Sequence, residues 1–368
     1  MAISLRNIDA VQHQALMRLT LRVMGETHRV FGEFQAWLID LVLRTVDDAG
    51  NANGVGLMQT MPQIGEQWRQ AVQEWVRLLE AAREQAASLP FGALVVKHNA
   101  FVGDGIRLEE TMSADDVGAI IQMWQQRRYQ ALRATQGRIY GDGLNLSQRI
   151  WRLENGGLSQ IRNTLATAMA ERTSAVQLAR LVEAQLGADQ DMPRWTRDRL
   201  YGMTAAERRQ SDKGLLRGTE NRGKGISYNA LRLARTELQF ANHAITTEIA
   251  QHSPWVTGRY VRLSPAHPKI DICDDLAAGG PYATDSNLLP AHPNCLCFWE
   301  EALMPKGDFT NQVKGWLQGA NAFLDDYQGW LNARQITEPM PWNMSLADSL
   351  EMWLGINQGA QAAALRLN

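Results

Sequence analysis

The chain has 368 residues, 45% hydrophobic and 21% charged, with a formal net charge of -2. That balance excludes a disordered chain, and no run approaches the roughly 18 apolar residues that a bilayer span requires. The near-neutral charge excludes a global attraction to DNA or anionic membrane, so any nucleic-acid contact must come from a local patch.

The length suggests two or three domains. The opening "MAISLRNIDAVQHQ" has no continuous apolar stretch of the secretory kind, so the expectation is a chain that stays in the cytoplasm where it is made. The N-terminal third reads as helical. "QALMRLTLRVMGETHRVFGEFQAWLIDLVLRTV" is long and apolar-rich, with Gly25 and Gly32 as weak points. Residues 47–56, "DDAGNANGVG", form a turn-rich break. Ile64, Trp68, Val72, Trp75, Val76 and Leu79 then recur at three- and four-residue steps, which predicts a second helix and an antiparallel hairpin with the first.

Pro90 and several glycines in "LPFGALVVKHNAFVGDG" (89–105) predict an irregular connector, with a short strand at "ALVV". Ser113 is the expected N-cap of a third helix. Residues 145–187 read as three short helices, the first two parted by Gly156 and Gly157. A helix is expected over 227–251 and a strand over 255–264. The tail predicts helices near 310–334 and 345–355. Twelve tryptophans are scattered along the chain without an interleaved basic cluster, so they do not form a base-stacking platform. The fold class expected is mainly α with a small α+β module. A helical region (1–110) precedes a helical unit (111–193), a module with a Cys/His clasp (194–305) and a helical tail (306–368).

Residues 194–235 hold eleven Lys or Arg against four Asp or Glu. Arg208, Arg209, Lys213, Arg217, Arg222 and Lys224, among four glycines, are candidate contacts for DNA phosphates. A solvated basic loop has the same composition. In "LARTE", Arg235 and Glu237 are two apart on a helix and cannot face each other, so tertiary partners are expected. Together with Asn242 they are candidates for a polar clamp, which His243 can join.

All three cysteines lie between 273 and 297. In a reducing compartment that leaves metal binding or catalysis as alternatives to simple packing. Cys273, Cys295, Cys297, His292 and His267 are thiol and imidazole donors of the kind zinc prefers, and four of them would close one structural site. Asp271 and Asp274 are candidate acceptors for a ligand histidine. The single residue between Cys295 and Cys297 is shorter than usual zinc spacings. The same inventory would serve a metal-dependent hydrolase or transferase. No helix N-terminus is expected behind a cysteine, and no G-x-S-x-G, H-E-x-x-H or P-loop pattern occurs, so an enzyme is not expected. A stand-alone DNA-binding module is the other alternative.

The order "LARTE … AN … W … R … SPAHPKIDICDDLA … LPAHPNCLCFWE" resembles the Mu-type minor head protein family of tailed bacteriophages, also called phage head morphogenesis proteins. The likeness covers about residues 150–303. Leu296 stands where that family commonly has Arg, which removes a charge from the closing turn. The resemblance implies a structural, non-enzymatic virion protein, made in the host cytoplasm and resident in the head interior or at the portal. Its implied partners are the portal protein or the major capsid protein, and packaged double-stranded DNA, with no membrane during assembly and with few copies per particle. Its implied role is head assembly, DNA packaging or genome delivery, with one structural zinc as the candidate cofactor.

Overall fold

The structure is a computed structural model that describes residues 8–47, 50–51, 53–102, 130, 133–135, 137–139, 143–171, 173–186, 226–265, 267, 270–293 and 295–326. The helix expected from Ser113, the basic residues Arg208, Arg209, Lys213, Arg217, Arg222 and Lys224, and the helix near 345–355 lie outside the described residues. The chain is mainly α-helical with a small antiparallel sheet of two strands. Packing groups it into a helical unit, 20–82 with 136–237, and a sheet unit, 1–19 with 83–135 and 238–368. That grouping differs from consecutive segments ending at 110, 193 and 305, because long helices carry the chain from one unit into the other.

In the helical unit, α1 (Ile8–Arg44) and α2 (Gly54–Val102) run antiparallel. Phe31 lies 6.1 Å from Trp75, Phe34 lies 5.2 Å from Trp68, and the Trp75 Nε1–H donates to Thr27 Oγ1 at 3.2 Å. Ile64, Trp68, Val72, Trp75 and Leu79 are buried, as their spacing predicts. The hairpin turn ends where Asn53 Oδ1 accepts from the amides of Val55 and Gly56 and so caps α2. Gly56 is required there, since a Cβ would sit 2.6 Å from Thr45 Cγ2.

The three short helices expected over 145–187 are two: α3 (Leu146–Ala170) and α4 (Ala175–Leu186). α3 runs straight through Gly156 and Gly157. Each glycine costs a helix about 1 kcal/mol relative to alanine, and burial outweighs it. The helix starts in a capping box between Asn145 and Gln148, and Ile161, Leu165 and Ala168 are buried along one face. Trp68 also donates to the Glu154 carbonyl at 2.7 Å, tying α2 to the turn just before the glycine pair.

The sheet unit corrects a second expectation. The stretch around Pro90 is not an irregular connector with a strand; α2 continues through it to Val102. Proline supplies no N–H, so the Ala86 carbonyl one turn back loses its helical donor. Asn242 Nδ2 donates to that carbonyl at 2.9 Å and replaces it. Asn242 sits on α5 (Ile226–His252), whose residues from Leu233 to His243 are all buried. We predict that Asn242→Leu destabilises the chain by about 1–3 kcal/mol by orphaning a buried carbonyl. Pro90→Ala in the same chain should recover part of that loss in urea denaturation, since alanine restores the donor.

After α5 the chain forms β1 (Val256–Arg262), α6 (Ile272–Ala278), β2 (Phe298–Leu303) and α7 (Lys306–Leu317). β1 and β2 pair antiparallel, with Arg259 opposite Glu301 and Val261 opposite Trp299. β2 and α6 were not expected from the sequence. The tail helix ends at Leu317, well short of 334, and Gly319 turns the chain with φ of 71°. α7 packs Phe309 against Phe101 and Trp255, at 5.3 and 6.4 Å.

Candidate metal centre

Cysteines of both Cys/His segments pack against Val261 of β1 and Trp299 of β2. Val261, Cys273, Leu289, Cys295, Cys297 and Trp299 form one buried cluster. All three cysteines are reduced and buried, at 0%, 2% and 1% exposure for Cys273, Cys295 and Cys297. The segment between them is better anchored than its Gly-rich, polar composition suggests. Leu289 is buried, and Tyr282 exchanges backbone hydrogen bonds with Arg259 at 2.7 and 2.9 Å. Gly280 holds φ of 93°, a backbone conformation that favours glycine.

Cys273 lies in the first turn of the seven-residue α6, contrary to the expectation of no helix start near a cysteine. That turn is closed by aspartates. Asp271 Oδ1 accepts from the Cys273 amide at 2.7 Å, and Asp274 Oδ2 accepts from the Asp271 amide at 2.8 Å. The Cys273 thiol is pushed up, by its contact with Cys295 and by burial.

The five candidate donors fall into two groups that meet at Cys273. Cys273 Sγ is 3.3 Å from His292 Nε2 and 3.6 Å from Cys295 Sγ, and Cys297 Sγ is 3.8 Å from His267 Nδ1. Cys273 is common to two triads, one with His267 and Cys297, the other with His292 and Cys295. A tetrahedral zinc with bonds of about 2.3 Å to sulfur and about 2.0 Å to nitrogen has ligand edges of roughly 3.5–3.8 Å. The three separations lie near those edges, so each triad is close enough to bind a metal ion.

Both histidines are also oriented as ligands. His292 Nδ1 is 2.9 Å from the Pro293 carbonyl, which can only accept, so Nδ1 carries the hydrogen. In the neutral ring that leaves the Nε2 lone pair facing Cys273. His292 Nε2 also lies 3.2 Å from Asp271 Oδ2. His267 is the mirror case. Its Nε2 is 2.9 Å from Asp274 Oδ2, which frees Nδ1 toward Cys297. A carboxylate or carbonyl behind a ligand imidazole is the usual outer support of a metal site.

The thiols share their protons unequally. Hydrogen bonds from Cys273 and Cys297 push the Cys295 thiol down, and the same contacts with Cys295 push the other two up. Hydrogen bonds from the Asp271 amide and from His267 hold the Asp274 carboxyl below its usual range. Behind the cluster, burial drives His13 down to about 3 and His243 to about 4, so both are neutral near pH 7. His13 stacks on Phe298 at 4.2 Å. Arg259 lies 4.1 Å over the Trp299 ring and donates to Thr247 Oγ1 and the Ser286 carbonyl, fixing β1 to the loop that follows α6.

The other sequence candidates fall elsewhere. Arg235 and Glu237 are buried on α5 within the helical unit, where Glu237 faces Arg138. Asn242 belongs to the sheet unit and serves the Ala86 carbonyl; Gln12 Nε2 donates to Thr246 beside it at 3.2 Å. One polar group was missed altogether. Lys97 Nζ bonds Asp9 Oδ1 at 2.6 Å and Glu301 Oε2 at 2.5 Å, and all three side chains are buried. Their separation in sequence leaves no local signal.

No family profile, no curated protein and no solved structure matches this chain.

Proposed function

We propose that this chain is a structural protein of a tailed-phage virion, a minor head protein, in which the Cys/His cluster holds one zinc as a fastener. The observation that carries the reading is that His267 with Cys297, and His292 with Cys295, form two triads around the buried Cys273. They lie in the last two of the segments whose order carries the family resemblance. Their sulfurs are part of the core, so they serve to pin chain segments together and are poorly placed to meet a substrate. Zinc suits a donor set of thiolates and imidazoles. Bound there, it would join α6 to the segment leading into β2 with no redox chemistry of its own.

In this reading the chain acts in head assembly, DNA packaging or genome delivery, in contact with portal or capsid protein. Arg208, Arg209, Lys213, Arg217, Arg222 and Lys224 are its candidate contacts for packaged DNA phosphates. The test is composition of particles. Heads purified by density gradient from the induced host should contain this chain at a fixed ratio to the portal protein. Finding it only in the particle-free lysate overturns the proposal.

A further inference from the structure

Three segments far apart in sequence place a primary amine between two carboxylates inside the core of the sheet unit. Lys97 Nζ lies 2.6 Å from Asp9 Oδ1 and 2.5 Å from Glu301 Oε2, and the side chains of Lys97, Asp9 and Glu301 are 2%, 10% and 4% exposed. We infer that Lys97 and Asp9 condense into an internal isopeptide bond, with Glu301 as the proton carrier. The ion triad is then the state before reaction. The step needs neither a metal nor a partner.

Each part of an amide-forming site is present. Atoms poised for attack lie about 3–3.5 Å apart, which is the reach that a hydrogen bond from Nζ to a carboxylate oxygen gives toward the carboxyl carbon. Asp9 Oδ2 accepts from the Glu301 amide at 3.0 Å, so charge developing on that oxygen meets a fixed donor. Burial raises the Glu301 carboxyl, which suits it to take up a proton and return it. Burial opposes the Lys97 charge, but the two carboxylates outweigh it, so the amine keeps its proton more tightly than usual. The free amine is a minor species, and a reaction that runs once per chain needs no more. Lys97 hands one proton to Asp9 Oδ1, its nitrogen attacks the Asp9 carboxyl carbon, and Glu301 takes a second proton from that nitrogen. The bond from carbon to Oδ1 then breaks, Glu301 returns its proton to Oδ1, and one water leaves. The third proton stays on the new amide. Two buried charges vanish together with their desolvation cost, which favours the product in the core. Arg259, opposite Glu301 in the sheet, attracts the one carboxylate that remains. Rings lie on both sides: His13, one turn after Asp9, stacks on Phe298 at 4.2 Å, and Phe101, one turn after Lys97, stacks on Trp255 at 5.8 Å. The bond would tie α1 to α2 across 88 residues of chain.

The experiment is intact-mass spectrometry of the full-length chain, purified folded and then denatured, followed by proteolysis and fragment sequencing. Wild type should weigh one water less than its sequence, and a branched peptide should join Lys97 to Asp9. Glu301→Gln should stay at full mass, with circular dichroism confirming its fold, because the amide cannot carry the proton. Lys97→Met should stay at full mass as well. Wild type at full mass after prolonged incubation in the folded state overturns the proposal and leaves a plain ion triad. A water lost without that branch, as in a cyclised aspartate, overturns it too, and so does a branch from Lys97 to Glu301 or the same loss in Lys97→Met. If Glu301→Gln condenses as fast as wild type, the role given to Glu301 fails. Should that variant not fold, the fragment spectrum of wild type alone decides whether the bond exists.

Discussion

The chain purified with zinc and stripped with a chelator should lose stability, and readded zinc should restore it in a concentration-dependent way. A ligand that binds only the folded state stabilises it by RT ln(1 + [L]/Kd), about 4 kcal/mol at 1,000 times Kd. That is a large part of the roughly 5–15 kcal/mol that holds a typical domain together. The effect should sit in the sheet unit, because the donors flank α6 and β2 there. Cys273→Ser should abolish it, since this sulfur is shared by both triads. The serine variant should melt like stripped wild type and ignore added zinc. Thermal melts with and without chelator read the outcome. Identical curves for wild type under both conditions would return the cysteines to ordinary packed thiols, as free cysteines often are.

The sequence disclosed this site because its chemistry is local. Thiols and imidazoles gathered within thirty-odd residues are rare enough to mark a cluster without knowledge of the fold. The elements that support the site were less legible. α6 is short and polar, and only its aspartate capping box, Asp271 with Asp274, announces it. β2, "FWEEAL", sets Trp299 and Glu301 on the buried side, so a glutamate occupies a position where alternation calls for an apolar residue. Pro90 misled for a related reason. A proline is a helix breaker until a distant side chain supplies the missing donor, and Asn242 is 156 residues from Ala86. Gly156 and Gly157 likewise read as a break because local propensity is weak beside tertiary packing. Propensity and periodicity see neighbours in sequence, whereas the donor that lets α2 pass Pro90 lies far along the chain.

The largest effect of a single substitution is expected at the most distant of those partnerships. Lys97→Met should destabilise the chain by about 3–5 kcal/mol, because it leaves two buried carboxylates without their cation. Lys97 now joins the first turn of α1 to β2, and Asp9 Oδ2 also accepts from the Glu301 amide at 3.0 Å. Burial pushes the Glu301 carboxyl up, and Lys97 pulls it back down. Without Lys97 only Arg259 still opposes the burial, so the folded-state pKa of Glu301 rises further above its unfolded value. The folded variant then binds more protons than its unfolded chain through that interval, and stability falls as pH rises. Lys97→Met should accordingly regain stability on acidification from neutral pH, relative to wild type. Replacing the three charges, Asp9→Asn with Lys97→Met and Glu301→Leu, should recover much of the loss, since no buried charge is left unpaired and the asparagine oxygen still accepts from the residue 301 amide. Urea titrations at a series of pH values separate these cases. A uniform loss with no pH dependence, undiminished in the triple variant, would mean that the Lys97 stem matters for its packing and the ion triad contributes little.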